Sequence, residues 1–227
     1  MKIEIQIPES LKELRLEQYQ KYMKLITNNE TSEFVNQKTI EIFCDLPLKD
    51  IAKINYNSVS EILEHFNKLF SAKNNLIPTF KLGGKQFGFI PDLENMSFGE
   101  YVDLDEYLKD IDNWHRAMAV LYRPVTKEVK GLYQIEDYKG SDQYAEVMKF
   151  APLDVVLGSM VFFYNLSNEL LNAMIAYLQH QVTEHSETLV ENSNSQTNGD
   201  GINQSMQSLK ETLSTLNALP NFHYTNV

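Results

Sequence analysis

The sequence predicts an α+β domain that is predominantly α-helical, with a small strand and β-hairpin element and a disordered C-terminal tail. Apolar residues recur at helical spacing through most of residues 11–178. Residues 79–90 instead alternate apolar and polar side chains around a Gly-Gly pair, which is typical of a hairpin. The chain has 227 residues, of which 43% are hydrophobic, so it can bury a substantial core. We therefore expect one folded domain over residues 1–181.

Six longer segments are predicted to be helical, because their apolar residues fall on one face of a helix. They cover residues 11–26, 33–44, 59–70, 98–109, 112–122 and 144–177. Pro47 is expected to precede a short helix, and Ser97 with Glu100 to form a capping box at the start of the fourth long helix. Pro124 is expected to end the fifth, and Ala151-Pro152 to interrupt the last.

The strands are predicted from residues that alternate between apolar and polar. Ile residues at positions 3, 5 and 7 indicate a strand over residues 2–7 that Pro8 ends. In the hairpin, Gly83-Gly84 permits the positive φ angles of a two-residue turn. A further extended segment is expected at residues 131–138.

Two passages of the sequence resemble one another. Residues 7–25 read IPESLKELRLEQYQKYMKL and residues 90–108 read IPDLENMSFGEYVDLDEYL. The aligned apolar pairs are Leu11/Leu93, Leu14/Met96, Leu16/Phe98 and Tyr19/Tyr101. One interpretation is a strand-helix pseudo-repeat over residues 2–26 and 86–108, in which each strand packs on its helix. The alternative is that any passage from a strand to a helix produces this pattern.

Residues 182–227 are predicted to be a flexible polar tail, since they are rich in Ser, Asn, Thr and Gly and have little apolar surface to bury. Residues 205–219 form the exception. Their apolar side chains are Met206, Leu209, Leu213 and Leu216. This spacing predicts a short amphipathic helix that orders on a partner.

Charge and cysteine content exclude several classes of protein. The chain has 20 Lys and Arg against 31 Asp and Glu, a net charge of −11, which disfavours direct binding to nucleic acid. A single cysteine, Cys44, excludes an internal disulfide framework. The most apolar stretch, residues 155–166, is shorter than the roughly 20 residues that a membrane span needs. Together with an N-terminal segment that lacks a signal-peptide pattern, these features predict a protein that is cytoplasmic where it is made and does not enter membranes.

No catalytic, metal or cofactor residues are predicted, and we expect the protein not to be an enzyme. His180 and His185 are five residues apart, whereas helical zinc sites use a spacing of four. His115 is a general-base candidate only if a pocket forms around it, and we interpret it as structural. The acidic residues between 103 and 112 lack the glycine of a calcium loop, which indicates a solvated helix face.

The remaining class is an interaction protein. Residues 153–178 are apolar on most sides of a helix, so this helix is either central in the core or docked to another chain. We expect it to supply the partner-binding residues. These are Val155, Met160, Phe162, Phe163, Leu170 and Met174.

The order of these segments resembles a family of tailed-bacteriophage proteins encoded among virion morphogenesis genes, including those of large crAss-like phages. The likeness covers about residues 3–178 and is carried by passages such as IPTFKLGGKQFGFIPD, NWHRAMAVLYRPV and YAEVMKFAPLDVVLGSMVFFYNLSNELL. The resemblance implies a tail assembly chaperone without catalytic activity, which binds a tape-measure, hub or portal/tail protein. The alternative that it leaves open is a structural virion component, such as a head-tail connector or tail-interior protein.

Overall fold

The computed structural model describes residues 5–27, 32–93 and 95–189, and in the last helix it describes side chains as far as Leu166 and at positions 172, 173 and 175–177. Contacts divide the chain into two units, Met1–Ser159 and Met160–Val227. Over the described residues, eight α-helices accompany one small antiparallel sheet. The prediction of a predominantly helical α+β fold is confirmed.

The elements follow one another along the chain with short connections. The helices are α1 (Leu16–Thr27), α2 (Ser32–Cys44), α3 (Leu48–Ile51), α4 (Tyr56–Phe70), α5 (Phe98–Leu108), α6 (Trp114–Leu121), α7 (Asp142–Met148) and α8 (Leu153–Leu189). The strands are β1 (Thr79–Leu82), β2 (Lys85–Phe89), β3 (Tyr122–Val129) and β4 (Leu132–Ile135). Single 3-10 turns lie at Leu11–Glu13 and Ile111–Asn113.

The sheet has the strand order β1-β2-β3-β4, and each strand is antiparallel to its neighbour. The predicted hairpin is confirmed: Leu82 pairs with Lys85, and Gly83 and Gly84 have φ angles of 56° and 77°. Both glycines therefore adopt the left-handed conformation that a tight hairpin turn requires. A second hairpin joins β3 to β4 through Lys130 and Gly131.

Two aromatic clusters form the core of the first unit. In the helical part, Phe43 from α2 lies 5.2 Å from Phe66 and 5.3 Å from Phe70, measured between ring centroids. In the sheet, Phe80 and Phe89 pack edge to face on Tyr122, with centroids 5.2 and 5.3 Å away. Such pairs add to the free energy of burial because ring edges and faces carry opposite partial charges.

A backbone clasp fastens the segment before α1 to the base of α8. The amide of Leu153 donates to the carbonyl of Leu14 at 2.9 Å, and the amide of Leu16 donates to the carbonyl of Ala151 at 3.0 Å. Leu14, Leu16 and Leu153 are all essentially inaccessible to solvent. The clasp therefore joins the beginning and the end of the first unit within its core.

The strands differ from the prediction at two places. Residues 5–7 form no strand, since no described strand pairs with them, and Ile7 is 37% exposed; residues 1–4 lie outside the described part. After α6 ends at Leu121, the chain continues directly as β3, which the sequence did not indicate. Pro124 is tolerated in β3 because its backbone faces Glu136, whose amide donates to the Pro124 carbonyl and which lies one residue past β4, so the missing N–H falls beyond the β3–β4 ladder.

Most of the predicted tail, residues 182–227, lies outside the described residues. Residues 182–189 continue α8, since a polar composition limits burial but does not itself prevent a helix. Residues 190–227, with the amphipathic segment 205–219, lie outside the described residues.

The two similar passages do not pack alike. In the first passage Leu16 and Tyr19 are both 0% exposed, whereas the aligned Phe98 and Tyr101 are 80% and 61% exposed. The first passage also lacks a described strand before its helix, while β2 precedes the second. The described residues, which begin at position 5, therefore show no common strand-on-helix unit.

Candidate docking surface

Helix α5 carries an exposed apolar face. Phe98, Tyr101 and Val102 are 80%, 61% and 44% exposed, and their spacing of three and four residues places them side by side on the helix. On the opposite side, Glu100 and Leu104 are buried against the rest of the first unit. We call Phe98, Tyr101 and Val102 the α5 face. It presents aromatic and aliphatic surface to solvent on a helix whose other side is fixed.

A capping box fixes the start of α5, as the sequence predicted. The backbone N–H of Ser97 donates to Glu100 Oε2 at 2.7 Å, and the N–H of Glu100 donates to Ser97 Oγ at 3.3 Å. These bonds satisfy amide groups that the first turn of a helix leaves without partners.

A buried ion pair joins α5 to the sheet. Arg123 of β3 donates from Nη1 to Glu100 Oε1, and both side chains are more than nine-tenths buried. Burial raises the pKa of the Glu100 carboxyl, but the hydrogen bonds from Ser97 and Arg123 outweigh burial and hold that pKa below its usual value. The charged carboxylate is therefore the stable form against the guanidinium.

Tyr138 completes the attachment of α5. The guanidinium of Arg123 lies over its ring, 5.5 Å from the centroid, and its hydroxyl donates to Asp103 on α5. Burial and the bond to Asp103 both raise the pKa of the Tyr138 phenol, so it remains a donor at neutral pH. Strand β3 and the segment after β4 thus hold the inner side of α5 through charged and aromatic contacts.

An open cleft of about 960 Å³ lies beside the inner side of α5. Its described lining comes from residues 90–92 and 95–97, Glu100 of α5, strands β3 and β4, and residues 136–139. The lining includes three acidic residues, Asp92, Glu136 and Asp137, and the basic residue Lys139. Glu100 and Arg123 also line the cleft, but their charges neutralise one another. The cleft therefore favours positively charged groups. Its described lining includes no His or Cys.

The partner-binding residues predicted from the sequence lie on α8 and have mixed exposure. Val155 is 2% exposed and lies in the core of the first unit, so it offers no surface to a partner. Met160, in the second unit, is 6% exposed. Phe162 and Phe163 are partly exposed and pack edge to face with centroids 5.6 Å apart. The side chains of Leu170 and Met174 lie outside the described residues.

Val155 was predicted to bind a partner from the spacing of apolar residues along α8. That spacing shows which residues share a helix face, but it does not show which face the domain covers. Further along α8, Leu166 and Tyr177 are 39% and 64% exposed.

The α5 face was not predicted from the sequence. One of two interpretations matched Phe98 and Tyr101 to Leu16 and Tyr19, in a pseudo-repeat whose strand and helix pack on one another. The capping box gave no local signal for this face, because it ties Glu100 to the Ser97 amide without fixing which side of α5 is covered. That side is set by Arg123 on β3, against which Glu100 is buried.

The reactive candidates occupy structural positions. His115 is half-buried, its Nδ1 is 3.4 Å from Gln20 Nε2, and it lines neither this cleft nor a smaller one between Ile5 and His65. Burial, with Lys149 and Arg116 nearby, lowers the pKa of His115. Burial, with the charge of Asp45, raises the pKa of Cys44 to about 11, which keeps its thiol protonated.

In the described part of the chain, no three His, Cys, Asp or Glu side chains are grouped so that they could hold a metal ion. None of the described helices combines the length and apolar character of a membrane span. Comparisons of the chain with known protein families, with curated proteins and with solved structures found no match.

Proposed function

We propose that this protein is a binding factor without catalytic activity, which holds a segment of another polypeptide against the α5 face. The observation that carries the proposal is the combination of an exposed apolar face with a rigid base. Phe98, Tyr101 and Val102 face solvent, while Ser97, Glu100 and Arg123 fix the helix beneath them. A preorganised surface loses little entropy when it binds, so more of the apolar contact energy appears as affinity.

The size of the α5 face suits a central anchor of an interface. Burying an exposed large apolar side chain such as Phe is worth about 1.5–3 kcal/mol. Phe98 is 80% exposed and Tyr101 61% exposed, so most of that energy is available to a partner. Aromatic residues are also enriched among the few side chains that dominate binding energy at interfaces.

The charge around the α5 face indicates what kind of segment binds there. Asp105 and Glu106 follow it on the helix with side chains 59% and 71% exposed, and both interact with the single base Lys109. The occupant that we propose is therefore an amphipathic helix with apolar residues and flanking Lys or Arg.

The resemblance to phage morphogenesis proteins supplies the biological role in this proposal. A tail assembly chaperone would cover an apolar segment of a tape-measure, hub or portal/tail protein until assembly, in the cytoplasm of the host. The second candidate is a structural virion component, for which the exposed α5 face would be a permanent interface. The two candidates differ in fate, because stoichiometric copies in purified virions, measured by mass spectrometry, would support the structural role and contradict the chaperone.

The proposal is tested by removing the α5 face without disturbing its base. The double variant F98S/Y101S is expected to lose the virion polypeptide that co-purifies with the tagged wild-type protein from infected cells. The matched control is Tyr56→Ser, since Tyr56 is 83% exposed on a different helix. We expect the control to retain the partner. Equal retention by F98S/Y101S, with unchanged melting, would show that the partner does not bind the α5 face.

A further inference from the structure

The two hairpin turns lie at the same end of the sheet. Strand β2 begins after the Gly83-Gly84 turn and β3 ends before the Lys130-Gly131 turn, and these two strands are antiparallel neighbours. A hydrogen bond of 3.2 Å from Gln86 Nε2 to Glu128 Oε2 joins the two hairpins there. We call this region, residues 81–86 and 127–132, the turn end.

The turn end concentrates lysines that form no ion pair within the described part of the chain. Lys81, Lys85, Lys127 and Lys130 are exposed, and none forms an ion pair with another described residue. The ion-paired lysines lie elsewhere. They are Lys21, Lys24, Lys38, Lys53, Lys68, Lys109 and Lys149. Glu128 is the acidic residue within the turn end, so the region is basic although the chain has a net charge of −11.

Exposed aliphatic side chains lie among these lysines. Val129 and Leu132 are paired across the second hairpin and are 52% and 79% exposed. The turn end is therefore an apolar centre with a basic border. The α5 face is an apolar centre beside the exposed acids Asp105 and Glu106.

We propose that the turn end of one molecule docks on the α5 face of a second copy of this chain. Apolar centres meet in this arrangement, and Lys127 and Lys130 face Asp105 and Glu106. The contact joins two different surfaces of the chain, so repeating it head to tail extends the assembly from copy to copy, as a ring if the rotation closes and as an open chain if it does not. Exposed ion pairs contribute little each and are screened by salt, so the association is weak, reversible and favoured at low ionic strength.

This inference rests on the proposed function, since it makes the α5 face the site of both contacts. A second copy would cover Phe98 and Tyr101 until a binding partner displaces it. Self-association thus keeps the exposed aromatic surface away from unrelated proteins. Nucleic acid is a poorer occupant of the turn end, because Val129 and Leu132 cannot stack on bases as aromatic side chains do.

The first test measures the size of the full-length protein by sedimentation velocity over a concentration series at low and high ionic strength. The wild type is expected to form larger species as its concentration rises, and to lose them at high salt. K127E/K130E is expected to weaken association by about tenfold or more. The control K12E/K73E makes the same charge change at exposed lysines without ion pairs, and should retain most of the association.

Charge reversal on both surfaces gives the decisive test. The variant D105K/E106K is expected to be monomeric alone, as is K127E/K130E, because each then opposes like charges. Mixed together, the two variants restore complementary pairs at every contact and should associate. Failure of the mixture to associate, equal weakening by K12E/K73E, or a wild type that stays monomeric throughout would overturn the proposal.

Two further results separate this proposal from others. Salt-sensitive binding of a single-stranded DNA oligonucleotide that K127E/K130E abolishes, with a monomeric wild type, would assign the turn end to nucleic acid instead. K127E/K130E should still capture the virion polypeptide, since its α5 face is intact. If K127E/K130E loses self-association but still captures the virion polypeptide, the inference is supported. If F98S/Y101S still captures that polypeptide, only the proposed function is contradicted.

Discussion

The ion pair between Glu100 and Arg123 offers a direct test of how α5 is held. Glu100→Gln keeps the size of the side chain and an acceptor for the Ser97 amide, since Gln also serves in capping boxes. The change removes the negative charge next to a guanidinium that is more than nine-tenths buried. Nε of Arg123 already lacks a hydrogen-bond partner among the described groups, so the cation would lose its main compensation.

The expected cost of this change is large. Breaking a buried ion pair by removing one partner typically costs about 3–5 kcal/mol, because the other charge stays buried and unpaired. Arg123→Met should cost a similar amount for the same reason, with the charge left on Glu100. The double variant E100Q/R123M leaves neither charge behind, and such replacements are often close to neutral. Since the two single costs of about 3–5 kcal/mol are both absent from the double variant, the double-mutant cycle should give a coupling energy of about 6 kcal/mol or more in magnitude.

Urea unfolding followed by tryptophan fluorescence measures these free energies. Trp114 is the single tryptophan of the chain and is 6% exposed in α6, so its emission reports on the first unit. Wild type, both single variants and the double variant complete the cycle. Additive effects, with a coupling energy below about 1 kcal/mol, would refute the reasoning that the pair acts as a unit.

The pH dependence of this stability has a defined sign. The pKa of Glu100 lies below its ordinary value of 4.5, so the carboxylate contributes its full stabilisation above that pH. The contribution is lost as the pH falls through the folded-state pKa. The difference in unfolding free energy between wild type and E100Q should therefore shrink in this acid range, and a difference that grew on acidification would contradict the assignment.

Other predictions concern packing and reactivity. Gly158→Ala should destabilise the protein by about 1–3 kcal/mol in thermal unfolding, because a Cβ there would lie 2.2 Å from the carbonyl oxygen of Asn75. Gly99→Ala is the matched helical control; its Cβ would meet nothing closer than 3.9 Å, so it should stabilise α5 by about 0.5–1 kcal/mol. A lower melting temperature for G99A than for G158A would contradict both. Cys44 should react slowly with iodoacetamide at pH 8 and faster as the pH approaches its raised pKa of about 11; rapid labelling of the folded protein at pH 8 would show an exposed thiolate.

Features set by neighbouring residues could be predicted from the sequence. The Gly83-Gly84 hairpin and the Ser97–Glu100 capping box are both confirmed. Each depends on residues within a few positions of one another, so composition and spacing contain the needed information. Strand β3 was missed, since its pairing partner β2 ends more than thirty positions earlier and a proline suggested a break. A strand is fixed by its partner as much as by its own residues.

Exposure was the least predictable property. Phe98 and Val155 are both apolar residues in helical patterns, yet one is 80% exposed and the other 2%. Which face a domain covers depends on the packing of distant elements, such as the attachment of Glu100 to Arg123 on β3. Periodicity identifies a face but does not show what lies against it.

The clasp between Leu14 and Leu153 has a consequence for synthesis on the ribosome. The backbone partners of the segment before α1 are among the last residues of the first unit to be translated. Translation proceeds at about 5–20 residues per second, so on the order of ten seconds pass between the synthesis of Leu14 and that of Leu153, its partner in the clasp. During that interval Leu16 and Tyr19, inaccessible in the finished molecule, lack their final cover. The nascent chain is therefore most vulnerable to aggregation before position 153 leaves the exit tunnel.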